Sequence, residues 1–152
     1  MLSRVSKFQV ATAIAVLFHT IGLVGLLYFD KSFFLKATPF NLLLSFALLI
    51  WTQTEKNLHF LFFFIACFLV GVTVEIIGIH TGVLFGDYTY SNVLGFKFKD
   101  VPLLIGINWF IIIYCCGISV HALLMKMINR VAADTGNTPA AMKALSVIID
   151  GA

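Results

Sequence analysis

Apolar residues in this chain run in long blocks broken by short polar clusters, rather than alternating with polar ones. The first block extends from Phe8 to Phe29 behind Arg4 and Lys7. A secretory leader begins in the same way, but its apolar core is about 7–15 residues long and ends at small residues. This block is longer and closes on Tyr28, Phe29, Asp30 and Lys31, which predicts an uncleaved first span over 8–29. The second block is short, 39–53, with Thr38 as N-cap and Pro39 as the first helical residue, where its missing N–H costs nothing. Phe33, Phe34 and Leu35, between Lys31 and Lys36, are expected at the membrane interface. A third span is predicted over 58–79, and a fourth over 101–125 with Asp100 as its cap and Pro102 in its first turn. Ala133 to Pro139 reads as a loop, and 141–152 turns apolar again. Those last twelve residues rise about 18 Å as a helix, against a hydrocarbon core of about 30 Å. They are expected to be the start of a fifth span in a protein truncated at its C-terminal side or split in two, or else a short helix on the membrane surface.

Composition makes these blocks membrane spans. The 152 residues are 61% hydrophobic and 11% charged, with a mean hydropathy of +1.02, whereas a soluble domain carries roughly 25% charged residues. So few charges cannot solvate a surface, which excludes a soluble enzyme, a disordered tail and a nucleic-acid-binding module. The expected fold is all-α: a polytopic transmembrane helix bundle in a single membrane domain, with four spans plus the start of a fifth. The net charge of +3 is dispersed and indicates no nucleic-acid partner. Six Lys and Arg residues fall on the amino-terminal side of the spans and four on the other. This small excess favours the N-terminus on the cytoplasmic side, and a bacterial-type cytoplasmic membrane is the expected location. Cys67, Cys115 and Cys116 fall inside apolar runs and read as small membrane-helix residues, neither a disulfide framework nor a metal site.

Glu75 is the most informative residue, because an ionisable side chain at membrane depth is costly and marks a functional site by default. Desolvation would suit it to act as a general acid; the alternative is a carboxylate that reaches water or a lysine at the interface. His80 lies well round the helix from Glu75 or past its end, and His19 and His121 read as interhelical hydrogen-bonding groups. Four dispersed histidines have no metal-ligand spacing, and no metal or cofactor is expected. Asn108 and Trp109 fall at about the depth of Glu75 if the helices alternate in direction. Asn108 could share a water with the carboxyl or simply bond between helices. Gly78, Gly82 and Gly86 recur every four residues, as in close helix packing or in a loop that turns back into the bundle. Phe85, Asp87, Tyr88 and Tyr90 then form either an interfacial aromatic belt or a lid over an apolar substrate.

Phosphate-binding glycine loops, paired-Asp magnesium motifs and nucleophile elbows are absent from the sequence. The run from Glu75 through Gly78, Gly82, Phe85-Gly86-Asp87-Tyr88-Thr89-Tyr90, then Leu94-Gly95, Val101-Pro102 and Trp109, resembles the integral-membrane carotenoid hydratases of the CruF-type and bisanhydrobacterioruberin hydratase family. The resemblance covers about Val70 to Tyr114. It implies a lyase-class hydratase that adds water to the terminal double bond of an acyclic, lipid-dissolved carotenoid. Under it, Glu75, Asp87 and Asn108 would be catalytic, and Phe85, Tyr88, Tyr90 and Trp109 would bind the substrate end group. Family members are longer, with further acidic and aromatic spans, so activity is expected once such helices complete the bundle. A helix–helix partner or a second copy of the chain is the protein partner expected.

Other readings compete. A cyclase-like protein would protonate the same end group, and a non-catalytic membrane subunit or remnant would use the helices only for binding. A small transporter fits less well, because the polar residues cluster at one end of the spans.

Overall fold

A peptide group in hydrocarbon must be hydrogen-bonded within its own segment, so long apolar blocks become helices. The computed structural model describes residues 6–135 and contains α1 (Lys7–Tyr28), α2 (Lys31–Thr52), α3 (Leu58–Thr81) and α4 (Leu104–Thr135). Each is long and apolar enough to cross a membrane. The result is the expected all-α bundle of a multi-pass membrane protein. Between α3 and α4 lie a short 3₁₀ turn (Asn92–Leu94) and a hairpin of β1 (Lys97–Phe98) with β2 (Val101–Pro102). The fifth apolar segment, 141–152, lies outside the described residues. The chain forms two compact units, Met1–Ile111 and Ile112–Ala152, and the site residues belong to the first.

Side-chain caps set where the helices begin. Ser6 and Gln9 form a reciprocal capping box at α1, and the Asn57 side chain accepts from Phe60 N–H at α3. At α2 the structure corrects the expected start at Pro39. The Asp30 carboxylate accepts from the backbone N–H groups of Ser32 and Phe33 at 2.9 and 3.2 Å, so the helix begins at Lys31. Phe33, Phe34 and Leu35 are therefore helical, and Pro39 sits inside the helix. Thr38 caps nothing; its hydroxyl donates back to Phe34 C=O at 3.3 Å.

The fourth span also begins differently. Lys99 and Asp100 have φ of 47° and 67°, the pair of left-handed conformations that closes a two-residue hairpin. Asp100 is thus a turn residue, not a cap, and Val101-Pro102 pairs with Lys97-Phe98. The helix starts at Leu104 and continues beyond the expected end, to Thr135.

Two glycines let α3 and α4 approach. A Cβ on Gly71 would lie 2.5 Å from Trp109 Cβ, and one on Gly106 would lie 2.5 Å from the Phe68 ring. Around this contact Val72, Val101 and Ile105 form a buried cluster, with Tyr90, Leu94 and Trp109 packed against it. The fully buried Phe110 meets Phe46, Phe60, Phe63 and Phe64 edge-on, with centroids 4.9–6.0 Å away. Such aromatic pairs contribute about 0.5–1.5 kcal/mol each beyond burial. That matters in lipid, where packing rather than water exclusion holds helices together.

Candidate functional site

Glu75 sits near the end of α3 and is only 8% exposed. Its neighbours follow from how the chain leaves the helix. Gly82, at φ 64°, ends α3 in the left-handed conformation that favours glycine, and Gly86 N–H bonds back to Gly82 C=O at 3.1 Å. The chain therefore turns back over the last turns of α3. Gly78, one turn beyond Glu75, leaves room for this return: a Cβ there would stand 2.8 Å from the Phe85 ring and 3.4 Å from the Tyr88 hydroxyl. Tyr88 and Tyr90 are two residues apart in a non-helical stretch and both face Glu75, whereas Thr89 between them is exposed.

Three donors converge on the one carboxylate. Trp109 Nε1–H donates to Oε1 at 3.0 Å, and the hydroxyls of Tyr90, at 2.9 Å, and Tyr88 donate to Oε2. The two phenol rings meet edge to face at 5.5 Å and 82°. Lys97, in β1, reaches back to donate to Tyr90 C=O, seven residues earlier, at 2.5 Å. Burial, reinforced by the hydrogen bond to the Glu75 carboxylate and its charge, pushes the Tyr88 phenol up to about 12 and the Tyr90 phenol up further. Both therefore stay protonated and remain donors at neutral pH.

A family model described as carotenoid biosynthesis protein matches residues 37–152. The chain belongs to the carotenoid biosynthesis protein family. No curated protein and no solved structure matches it. Membership gives this carotenoid biosynthesis protein a role in making carotenoids and a lipid-dissolved carotenoid as its kind of substrate. The matched segment starts inside α2 and takes in Glu75 with its donors Tyr88, Tyr90 and Trp109; α1 precedes it.

In this carotenoid biosynthesis protein, Glu75, Tyr88, Tyr90 and Trp109 come together, with Phe85 at the edge against Tyr88 at 6.3 Å. Asp87 is exposed, and its carboxylate oxygen lies 2.6 Å from where a Cβ on Gly82 would be, apart from the three donors. Asn108 is half-buried and makes no hydrogen bond to Glu75; the indole of Trp109, the next residue, takes that position. His80 and His19 each bond through Nδ1 to a carbonyl four residues earlier on their own helix, Ile76 and Ala15. Among the described residues no three His, Cys, Asp or Glu side chains gather as metal ligands. Lys97 is the site residue that sequence reasoning missed: it reads as a loop charge until the hairpin carries it to Tyr90.

Proposed function

We propose that this protein adds water across the terminal carbon–carbon double bond of an acyclic carotenoid end group, giving a tertiary alcohol. The observation that carries the reading is one buried carboxyl, Glu75, ringed by Tyr88, Tyr90 and Trp109. Protonation of a trisubstituted alkene forms a C–H bond and leaves a tertiary carbocation. Such a cation needs a nearby carboxylate, aromatic faces and an excluded solvent.

Trp109 N–H can only donate, so Oε1 is committed as an acceptor and proton transfer falls to Oε2. Oε2 is bonded to both phenols, so an end group reaches it by displacing Tyr88, which belongs to the loop and is only half-buried. With Tyr88 displaced, Oε2 of the carboxylate first takes up a proton and then gives it to the less substituted carbon. The carboxylate so restored faces the cation and takes a proton from the water whose oxygen bonds to the tertiary centre. Oε2 ends protonated as it was at the moment of transfer, and each turnover adds one water. We assign Asp87 as a second acid at the exposed end of the loop, Asn108 to orienting the water, and Phe85 to holding the end group.

The test is pigment analysis in a lycopene-producing host that expresses the full reading frame, as wild type and Glu75→Gln. The expected result is a product heavier by one water with the wild type and at least a hundredfold less of it with E75Q. A product of unchanged mass containing a ring would make the protein a cyclase. Unchanged hydration by E75Q would remove Glu75 from the mechanism.

A further inference from the structure

A second polar site lies away from Glu75, between α1 and α2. These helices enclose a cleft of about 610 Å³, lined by apolar side chains such as Phe18, Phe34 and Leu44 and by His19, Thr38 and Asn41. That is the size range of small-molecule sites, which combine apolar walls with a few converging polar groups. His19 stands nine residues before the end of α1 at Tyr28, and Asn41 ten residues after the start of α2 at Lys31. At 1.5 Å per residue both lie about 14 Å from the connection, near the middle of a 30 Å core.

The polar atoms of the cleft are unevenly used. Thr38 is spent on Phe34 C=O. His19 Nδ1 lies 2.8 Å from Ala15 C=O, so in the neutral ring Nδ1 carries the hydrogen and Nε2 is an open acceptor. Asn41 Nδ2 faces α1, 4.0 Å from where a Cβ on Gly22 would sit, and Gly22 is one turn from His19 on the same face. Asn41 Oδ1 is buried with no hydrogen-bond partner. That oxygen is closed off from the cleft, so the group the amide offers a ligand is its Nδ2 donor.

We propose that this cleft binds a carotenoid chain that already carries a terminal hydroxyl, with the hydroxyl held between His19 and Asn41. A hydroxyl both donates and accepts, so it can donate to His19 Nε2 while accepting from the Asn41 amide. A hydrocarbon end can do neither, and a carbonyl cannot serve the histidine. The inference rests on family membership and not on which reaction Glu75 performs.

The test is equilibrium binding to the purified protein in detergent. The probes are a monohydroxylated acyclic carotenoid and lycopene, both followed by polyene absorption, with a saturated long-chain alcohol as competitor. The hydroxylated carotenoid should bind about tenfold more tightly than lycopene. That preference should vanish in a His19→Leu, Asn41→Leu double variant, survive in His19→Gln, which keeps an acceptor, and survive in Glu75→Gln. Gly22→Leu, which fills the cleft, should weaken both carotenoids. Equal affinity for the two carotenoids, or a preference that persists in the double leucine variant, would overturn the site. Equal competition by the saturated alcohol would overturn its assignment to carotenoids. Binding by E75Q alongside failed conversion separates this site from the catalytic proposal.

Discussion

Trp109 donates its indole N–H to Glu75 Oε1 at 3.0 Å and joins α4 to α3 across 34 residues of sequence. Trp109→Phe keeps an aromatic ring over Gly71 but leaves a buried carboxylate oxygen without its partner. The expected cost is about 1–3 kcal/mol, measured by reversible unfolding in mixed detergent. In a Glu75→Leu background the same substitution should cost much less, because no acceptor remains to be orphaned. Additive costs would mean that the hydrogen bond contributes little and that the ring packing alone matters.

The two glycines at the α3–α4 contact should respond differently to compensation. Gly106→Ala puts a methyl 2.5 Å from the Phe68 ring, and Gly71→Ala puts one 2.5 Å from Trp109 Cβ. Each should destabilise by about 1–3 kcal/mol through overpacking. Phe68→Ala removes the ring and should absorb much of the Gly106→Ala cost. Trp109→Ala removes the contacts at Cγ (2.5 Å) and Cδ1 (2.8 Å) but keeps Cβ at 2.5 Å, so it should absorb only part of the Gly71→Ala cost. Equal rescue of both glycine variants would show that the helices separate easily at this point.

The legibility of this protein in its sequence divides along the same physical lines. Spans were readable because lipid forces any long apolar block into a helix, and Glu75 was readable because a carboxylate there needs a reason. Helix starts were misread where two signals competed. Thr38-Pro39 looked like a helix start, but Asp30 reaches two orphan N–H groups, and a membrane helix tolerates an internal proline. Asp100 looked like a cap because the left-handed turn it forms with Lys99 has no glycine to announce it. Trp109 was placed at the depth of Glu75, yet only its rotation about α4 decides that it, and not Asn108, meets the carboxylate. Lys97 had no signal at all, since its partner is a backbone carbonyl seven residues away.

Tyr88 should show its environment in alkaline titration. Its phenol is pushed from 10.0 up to about 12, first by burial and then by the Glu75 carboxylate. The folded protein holds this proton more tightly than the unfolded chain does. Its contribution to stability is therefore complete below pH 10 and is lost as the pH rises from about 10 through 12. Ultraviolet titration should show late phenolate ionisation from both tyrosines, of which the earlier step, near pH 12, disappears in Tyr88→Phe while that of Tyr90 remains. In Glu75→Gln the Tyr88 step should move down without reaching the ordinary value, because burial persists. An ordinary tyrosine titration in the wild type would place the loop away from Glu75.

Lys97 offers a way to disturb the site without touching the carboxyl or its donors. Its ammonium donates to Tyr90 C=O, and its own backbone is paired opposite Pro102, which is fully buried beside the α3–α4 contact. The hairpin thus anchors one end of the clamp while Tyr90, the other end, holds its hydroxyl 2.9 Å from Oε2. Lys97→Met keeps most of the stem and removes the donor, so Tyr90 is free to drift while the helices stay packed. A displacement of about 1 Å at a reacting group is enough for roughly a hundredfold loss of rate. Lys97→Met is therefore expected to lower turnover steeply with little change in unfolding or in the affinity for lycopene. Lys97→Arg, which retains a donor, should recover a substantial part of the rate. Lys97→Met in a Tyr90→Phe background should cost nothing further, because the hydroxyl that Lys97 positions is already gone. A further loss in that background, or no rescue by arginine, would make Lys97 a support for the whole loop rather than for Tyr90.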